Sequence, residues 1–132
     1  MNLSELLSKD NIISAVSQRI LQKYPNVKGT CELIAKDLAK ELNNHGVNAK
    51  HVVGNFILDD PDADQYMECD DWNGQDEYSV NHDWVEVEGK ILDISAKQFR
   101  KSVRNPIADV VYITHSHPLY ARYKFLNYYG GN

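Results

Sequence analysis

The chain has 132 residues, with 14 Lys and Arg against 19 Asp and Glu, 42% apolar residues, 7 Gly and 4 Pro, which is the composition of one folded domain spanning 1–132 and excludes a disordered segment or a repeat array. A net charge of −5 leaves no clustered cationic face for neutralising phosphates, so nucleic acid is not an expected partner. No run approaches the ~18 to 20 apolar residues that cross a bilayer, and charges interrupt the amino end where an export signal is apolar; no membrane association and a cytoplasmic location are expected.

The first predicted element is a helix from about Asn11 to Tyr24, where Ile12, Ile13, Val16, Ile20 and Leu21 recur at helical spacing before Pro25 stops the run. A second helix is expected from about Cys31 to Asn44, with Ile34, Ala35, Leu38 and Leu42 on one side, Thr30 as N-cap and Gly46 as the left-handed residue after its end. The period then changes to two. VNAKHVVGNFIL (47–58), EYSVNHDWVEV (77–87), KILDIS (90–95) and ADVVYIT (108–114) read as strands, the middle two joined through the two-residue turn Glu88-Gly89. Leu119, Tyr123, Leu126 and Tyr129 in the last segment suit a closing helix over 118–129. Two leading helices followed by an antiparallel sheet predict an α+β layered fold.

Charge is unevenly spread. Residues 59–77 hold nine acidic residues and no Lys or Arg, which leaves ten acids against fourteen bases elsewhere. From Gly89 onward there are seven bases and two acids, a docking surface for this acidic insertion or lid. Nine carboxylates near the mouth of a site would also favour cationic substrates. Within the run, Asp60, Asp62, Asp64 and Asp71 count as positions 1, 3, 5 and 12 of an EF-hand, but Gln65 stands where the sharp turn needs Gly and Asp71 where a bidentate Glu is usual, so an ordinary EF-hand is not expected. An irregular hard-cation loop and a solvated lid both remain open readings of the segment. Cys31, Cys69, His82, His115 and His117 lack the paired spacing of structural zinc, and no metal or other cofactor is expected.

The chemistry concentrates elsewhere. Cys31 opens the second helix, where unpaired backbone N–H groups and the positive end of the helix dipole stabilise a thiolate, and its own amide is free to donate to an oxyanion. Taken alone, it reads first as a small apolar residue packing at a helix start. Cys69, among Glu68 and Asp70, should be the less reactive thiol. If Glu88-Gly89 is a two-residue turn, 87 pairs with 90 and 84 with 93, so His82, Trp84, Asp93 and Ser95 share one face of the hairpin while Val85, Val87, Leu92 and Ile94 share the other. His82 and Asp93 are then diagonal neighbours within reach of a carboxylate-to-imidazole hydrogen bond. Taken alone, the pair also reads as an exposed strand-end His beside a solvated Asp. Jointly, a helix-start Cys, a strand His and an Asp on the adjoining strand supply nucleophile, base and orienting group.

These residues carry a resemblance. GTC (29–31) at a helix start, HDWVEV (82–87) in a strand, a Gly-Lys turn and ILDIS (91–95) in the returning strand resemble the transglutaminase-like superfamily, a branch of the papain-like cysteine fold, over Gly29 to Phe99. The chain departs from the common pattern at Glu32, where many members have an aromatic, and at Ile94-Ser95, where D-P-T is usual. The resemblance implies Cys31 as nucleophile, His82 as general base and acid, Asp93 as the residue orienting the imidazole, and Trp84 as the pattern's aromatic, on the substrate side. It also implies acyl transfer through a thioester on a peptide or protein substrate: peptidase, glutamine deamidase or transglutaminase chemistry. Asn26 is the nearest side-chain amide upstream that could complete an oxyanion hole. The alternative is a catalytically silent binding module of the same fold that uses the acidic segment as its partner or cation surface.

Overall fold

In the computed structural model, which describes residues 3–59 and 78–130, helix α1 runs over Leu3–Lys23 and helix α2 over Cys31–Asn44. The expected start of α1 at about Asn11 is where apolar periodicity begins; the helix itself continues to Leu3, and Lys9 on this extension pairs with Glu88 of a distant hairpin turn. A tertiary contact of that kind leaves no local sequence pattern. α2 has the expected bounds and ends in a Schellman motif. Gly46 adopts φ +83°, its N–H reaches the Asn43 carbonyl at 3.1 Å, and the Val47 N–H reaches the Leu42 carbonyl at 2.9 Å. Leu42 and Val47 are both buried, which supplies the apolar contact that such a cap uses.

Among the described residues five strands follow: β1 (Ala49–Leu58), β2 (Tyr78–Val87), β3 (Lys90–Asp93), β4 (Val111–Ile113) and β5 (Tyr123–Tyr128). They form one antiparallel sheet in the order β4-β3-β2-β1-β5. The α+β class with two leading helices therefore stands, while the closing helix over 118–129 is corrected to a short 3₁₀ helix (Pro118–Arg122) and β5. The reason is visible in burial. A helix with 119, 123, 126 and 129 inward would cover all four, whereas Leu119 and Tyr123 are buried but Leu126 and Tyr129 are 57% and 47% exposed. What the segment supplies is backbone hydrogen bonding to the free edge of β1, from Phe56↔Tyr123 to Val52↔Tyr128 with a bulge at Val53/Gly54.

The sheet separates two apolar clusters. Val85, Val87, Leu92 and Ile94 pack under Ile13, Val16 and Ile20 of α1 and Ile34, Ala35, Leu38 and Leu42 of α2. Val52, Phe56, Val80, Trp84 and Ile91 point the other way, against Phe99, Ile107, Leu119 and Tyr123. Gly54 lies at a close approach in this second layer. A Cβ there would sit 2.3 Å from the Lys124 carbonyl oxygen and 2.4 Å from the Trp84 ring. Gly54→Ala is accordingly expected to destabilise the fold by about 1–3 kcal/mol, as overpacking does, and to lower the urea midpoint; an unchanged midpoint would mean that Trp84 moves freely at this place.

Of the acidic run, Asp59 falls within the described residues. It pairs with Arg122 at 2.8 Å and accepts the Arg104 backbone N–H at 2.8 Å, so the run begins by docking on two of the seven carboxyl-terminal bases. Residues 60–77, with Cys69 and the cation-ligand candidates Asp60, Asp62, Asp64 and Asp71, lie outside the described residues.

Candidate active site

The β2–β3 hairpin sets the first half of the site. Glu88 and Gly89 both take positive φ, +52° and +79°, which is the type I′ turn whose twist matches paired strands. The register that results is Val87↔Lys90, Glu86↔Ile91 and Val85↔Leu92. It puts His82 diagonal to Asp93, and the side chains meet: His82 Nε2 lies 2.6 Å from Asp93 Oδ2. Both groups are sealed from water, with 0% and 2% exposure.

Asp93 ends β3, and the chain turns away from the sheet directly after it. That turn aims the Ser95 N–H (2.9 Å), the Ser95 hydroxyl (3.1 Å) and the Ala96 N–H (3.1 Å) at Asp93 Oδ1. The Tyr123 hydroxyl, from the far edge strand β5, donates to Oδ2 at 2.7 Å. Burial pushes the Asp93 pKa up, but the His82 charge, its hydrogen bond, the Ser95 N–H and the Tyr123 hydroxyl outweigh it, and the carboxyl is held below its ordinary range. Burial likewise lowers the His82 pKa, and again the partner wins: the Asp93 charge and hydrogen bond, with the Cys31 thiol adding to both effects, raise it to about 10. The couple is an imidazolium and a carboxylate.

Cys31 supplies the other half. It stands one helical turn before Ile34 and Ala35, on the stripe with which α2 packs against the sheet, and it is half-buried. Because β3 stops at Asp93, the part of β2 that carries His82 runs on past its strand partner. With Nε2 given to Asp93, Nδ1 is the ring nitrogen left over: it is buried, and Cys31 lies close enough to raise the His82 pKa alongside Asp93. Thr30, the N-cap, makes no side-chain bond to the helix start: its hydroxyl turns back to the Val27 carbonyl at 3.0 Å. The first turn of α2 thus keeps its amides free of the usual side-chain cap beside Cys31. Asn26 is exposed, and its Oδ1 accepts the Lys28 N–H at 3.1 Å in a local turn.

Cys31, His82 and Asp93 are therefore brought together. Trp84 lies behind the imidazole, 96% buried, edge-on to Tyr123 at 5.0 Å between ring centres. It lines a groove on the face opposite α1 and α2 together with Tyr120, Tyr123, Phe125 and Tyr128. Phe99 and Phe56 present their rings edge-on to His82 at 5.0 and 5.7 Å and exclude water from the couple. The functional group that sequence reasoning missed is Tyr123. Its helical spacing pointed to packing, and only the pairing of β5 with β1 reveals its reach to Asp93. His115 and His117 are exposed; His117 Nδ1 accepts the Leu119 N–H at the start of a 3₁₀ helix. Among the described residues no group of three metal-ligating side chains occurs, and no helix is long and apolar enough to cross a membrane. Comparison with protein-family models, with curated proteins and with solved structures finds no match to this chain.

Proposed function

We propose that this chain is a cysteine-dependent acyl-transfer enzyme acting on amide bonds, with Cys31 as nucleophile, His82 as general base and acid, and Asp93 as the group that orients and charges the imidazole. The observation that supports it most is the buried His82–Asp93 couple whose remaining ring nitrogen is left to a thiol at the first turn of a helix. A purely structural ion pair needs no sulfur at its other end. The likeness of 29–31, 82–87 and 91–95 to the transglutaminase-like superfamily supports the same reading.

The chemistry follows from the contacts. With the Cys31 proton held on His82, thiolate and imidazolium stand as a pair, because Asp93 balances the ring. The sulfur forms a bond to the carbonyl carbon of a peptide or protein amide, and the carbonyl oxygen becomes an oxyanion facing the open amides of α2. His82 then returns its proton to the departing amine as the C–N bond breaks, leaving a thioester on Cys31. Water or a substrate amine next attacks that thioester while His82 accepts its proton; the C–S bond breaks, and the acid or the new amide leaves. Water gives peptidase or deamidase chemistry, and an amine gives transglutaminase chemistry. No step calls for a cofactor, and the acidic run 59–77 would favour substrates carrying positive charge.

The direct test is alkylation. Iodoacetamide at pH 6 is expected to label Cys31 at least about tenfold faster than a free thiol, whose pKa of ~8.5 leaves it protonated at that pH, and His82→Ala is expected to remove the advantage. Slow labelling, equal at Cys31 and Cys69 and indifferent to His82→Ala, would instead favour the silent binding module.

A further inference from the structure

The sheet holds two buried histidine–aspartate couples, and the difference between them points to Tyr123. In the second couple His51 Nε2 on β1 lies 2.6 Å from Asp83 Oδ2 on β2. Both residues are buried, and Asp83 receives no other hydrogen bond among the described residues. Asp93 is held on both oxygens. Its Oδ1 takes the Ser95 N–H, the Ser95 hydroxyl and the Ala96 N–H, and its Oδ2 takes His82 Nε2 at 2.6 Å together with the Tyr123 hydroxyl at 2.7 Å.

The three donors to Oδ1 come with the turn that follows Asp93. Tyr123 does not: it stands 30 positions away in the chain, and β5 is three strands from β3, about 14 Å across a flat sheet. Hydroxyl and carboxylate meet only because the sheet curls toward this face. Packing accounts for the Tyr123 ring, which lies edge-on to Phe56 and to Trp84 at 5.0 Å in each case, contacts that a phenylalanine would also make. It does not account for the oxygen. A second donor on Oδ2 stabilises the carboxylate over the neutral acid, a weaker acceptor, and so opposes the transfer of the Nε2 proton to Asp93 that burial of the couple favours. Burial and the Asp93 charge raise the Tyr123 pKa well above its ordinary 10, so the hydroxyl stays a donor.

We infer that Tyr123 is a positioning residue of the Cys31 site: its hydroxyl, acting through Asp93 Oδ2, keeps that carboxylate ionised and one imidazolium proton on His82 Nε2, leaving Nδ1 to exchange protons with the sulfur and the departing amine. This role rests on the acyl-transfer reading.

Proton NMR of the full chain carrying nitrogen-labelled histidine reads the couple directly, because the His82 Nε2–H is sealed from water and bonded to a carboxylate. Tyr123→Phe keeps the ring and loses the oxygen. It is expected to move the Nε2–H resonance downfield, since Oδ2 with one donor fewer pulls harder on the proton, and to leave the His51 signals in place. A ring-fluorinated tyrosine in place of Tyr123, a stronger donor of nearly the same shape, is expected to move the resonance upfield. For a slow amide substrate, whose KM reports binding, kcat is expected to fall about tenfold in Tyr123→Phe with KM within about twofold, as for one hydrogen bond to a charged group and no substrate contact. If Tyr123→Phe fails to fold, the fluorinated chain decides by the sign of its shift. A resonance that neither change moves, or a kcat equal to that of the wild type, would overturn the assignment alone. A wild-type chain that turns over no amide would overturn the acyl-transfer reading and this role with it, so the wild-type rate tells the two failures apart.

Discussion

Loss of the Cys31 thiol, the His82 imidazole or the Asp93 carboxylate is expected to lower turnover of an amide substrate by about 10³- to 10⁶-fold in each case, and any double loss by little more than the worse single one. The reason lies in the order of contacts. Asp93 reaches the sulfur only through His82, so once the imidazole is gone the carboxylate has nothing left to orient. Asp93→Asn is the sharpest member of the set. The amide oxygen can still accept from the Ser95 and Ala96 N–H groups, which holds the turn after β3 in place. Its NH₂ would face His82 Nε2 as a donor, which forces the ring hydrogen to Nδ1, the side of the thiol. The imidazole can then no longer accept the Cys31 proton. The measurement is turnover of peptide and glutamine-containing amides by Cys31→Ala, His82→Ala, Asp93→Asn and the doubles, with folding checked by circular dichroism. Losses that multiply from one variant to the next would mean three independent contributions and would end the triad reading.

Much of this geometry was legible because it rests on a short-range device. The Glu88-Gly89 dipeptide specifies a two-residue turn, a two-residue turn specifies the 87↔90 register, and that register places His82 beside Asp93; a loop longer by one residue would have put them on opposite faces. The bounds of α2 were legible for a similar reason, since Gly46 and the apolar stripe from Ile34 to Leu42 act within a few residues of where they stand. The position of Cys31 at the helix start followed from those bounds.

What stayed hidden depends on contacts between distant segments. The helical spacing of Leu119, Tyr123, Leu126 and Tyr129 is real in the sequence, but β1 has a free edge, and hydrogen bonds to that edge outweigh the burial that a closing helix would give Leu126 and Tyr129. Tyr123 reaches Asp93 only through this pairing. The second couple, His51 with Asp83, joins β1 to β2 across a separation of 32 residues, and nothing near His51 in the sequence announces it.

The last expectation concerns stability against pH, and it reverses sign between two variants. In a Cys31→Ala background, which removes the thiol's own effect on the ring, Asp93→Asn is expected to cost about 3 kcal/mol or more near pH 6, because the buried imidazolium loses its balancing charge. With Asp93 present the folded ring stays above its free value of 6.5, so its contribution is complete below pH 6.5 and is lost as the pH rises through the raised folded value. The Asp93 carboxyl lies below its ordinary 3.8, so its contribution is complete above that value and is lost as the pH falls through the folded one. The couple therefore stabilises most between about pH 4 and pH 6.5. With Asn at 93 the opposite charge is gone, and burial, which lowers the His82 pKa, decides the outcome. The folded ring is then neutral, and stability from this group is lost as the pH falls below 6.5. Urea unfolding at pH 5, 7 and 9 should accordingly show the gap between the two proteins widest at pH 5 and narrowing upward. A gap of constant size would mean that His82 is uncharged in the native fold, and the imidazolium that protonates the leaving amine would then have no standing partner in Asp93.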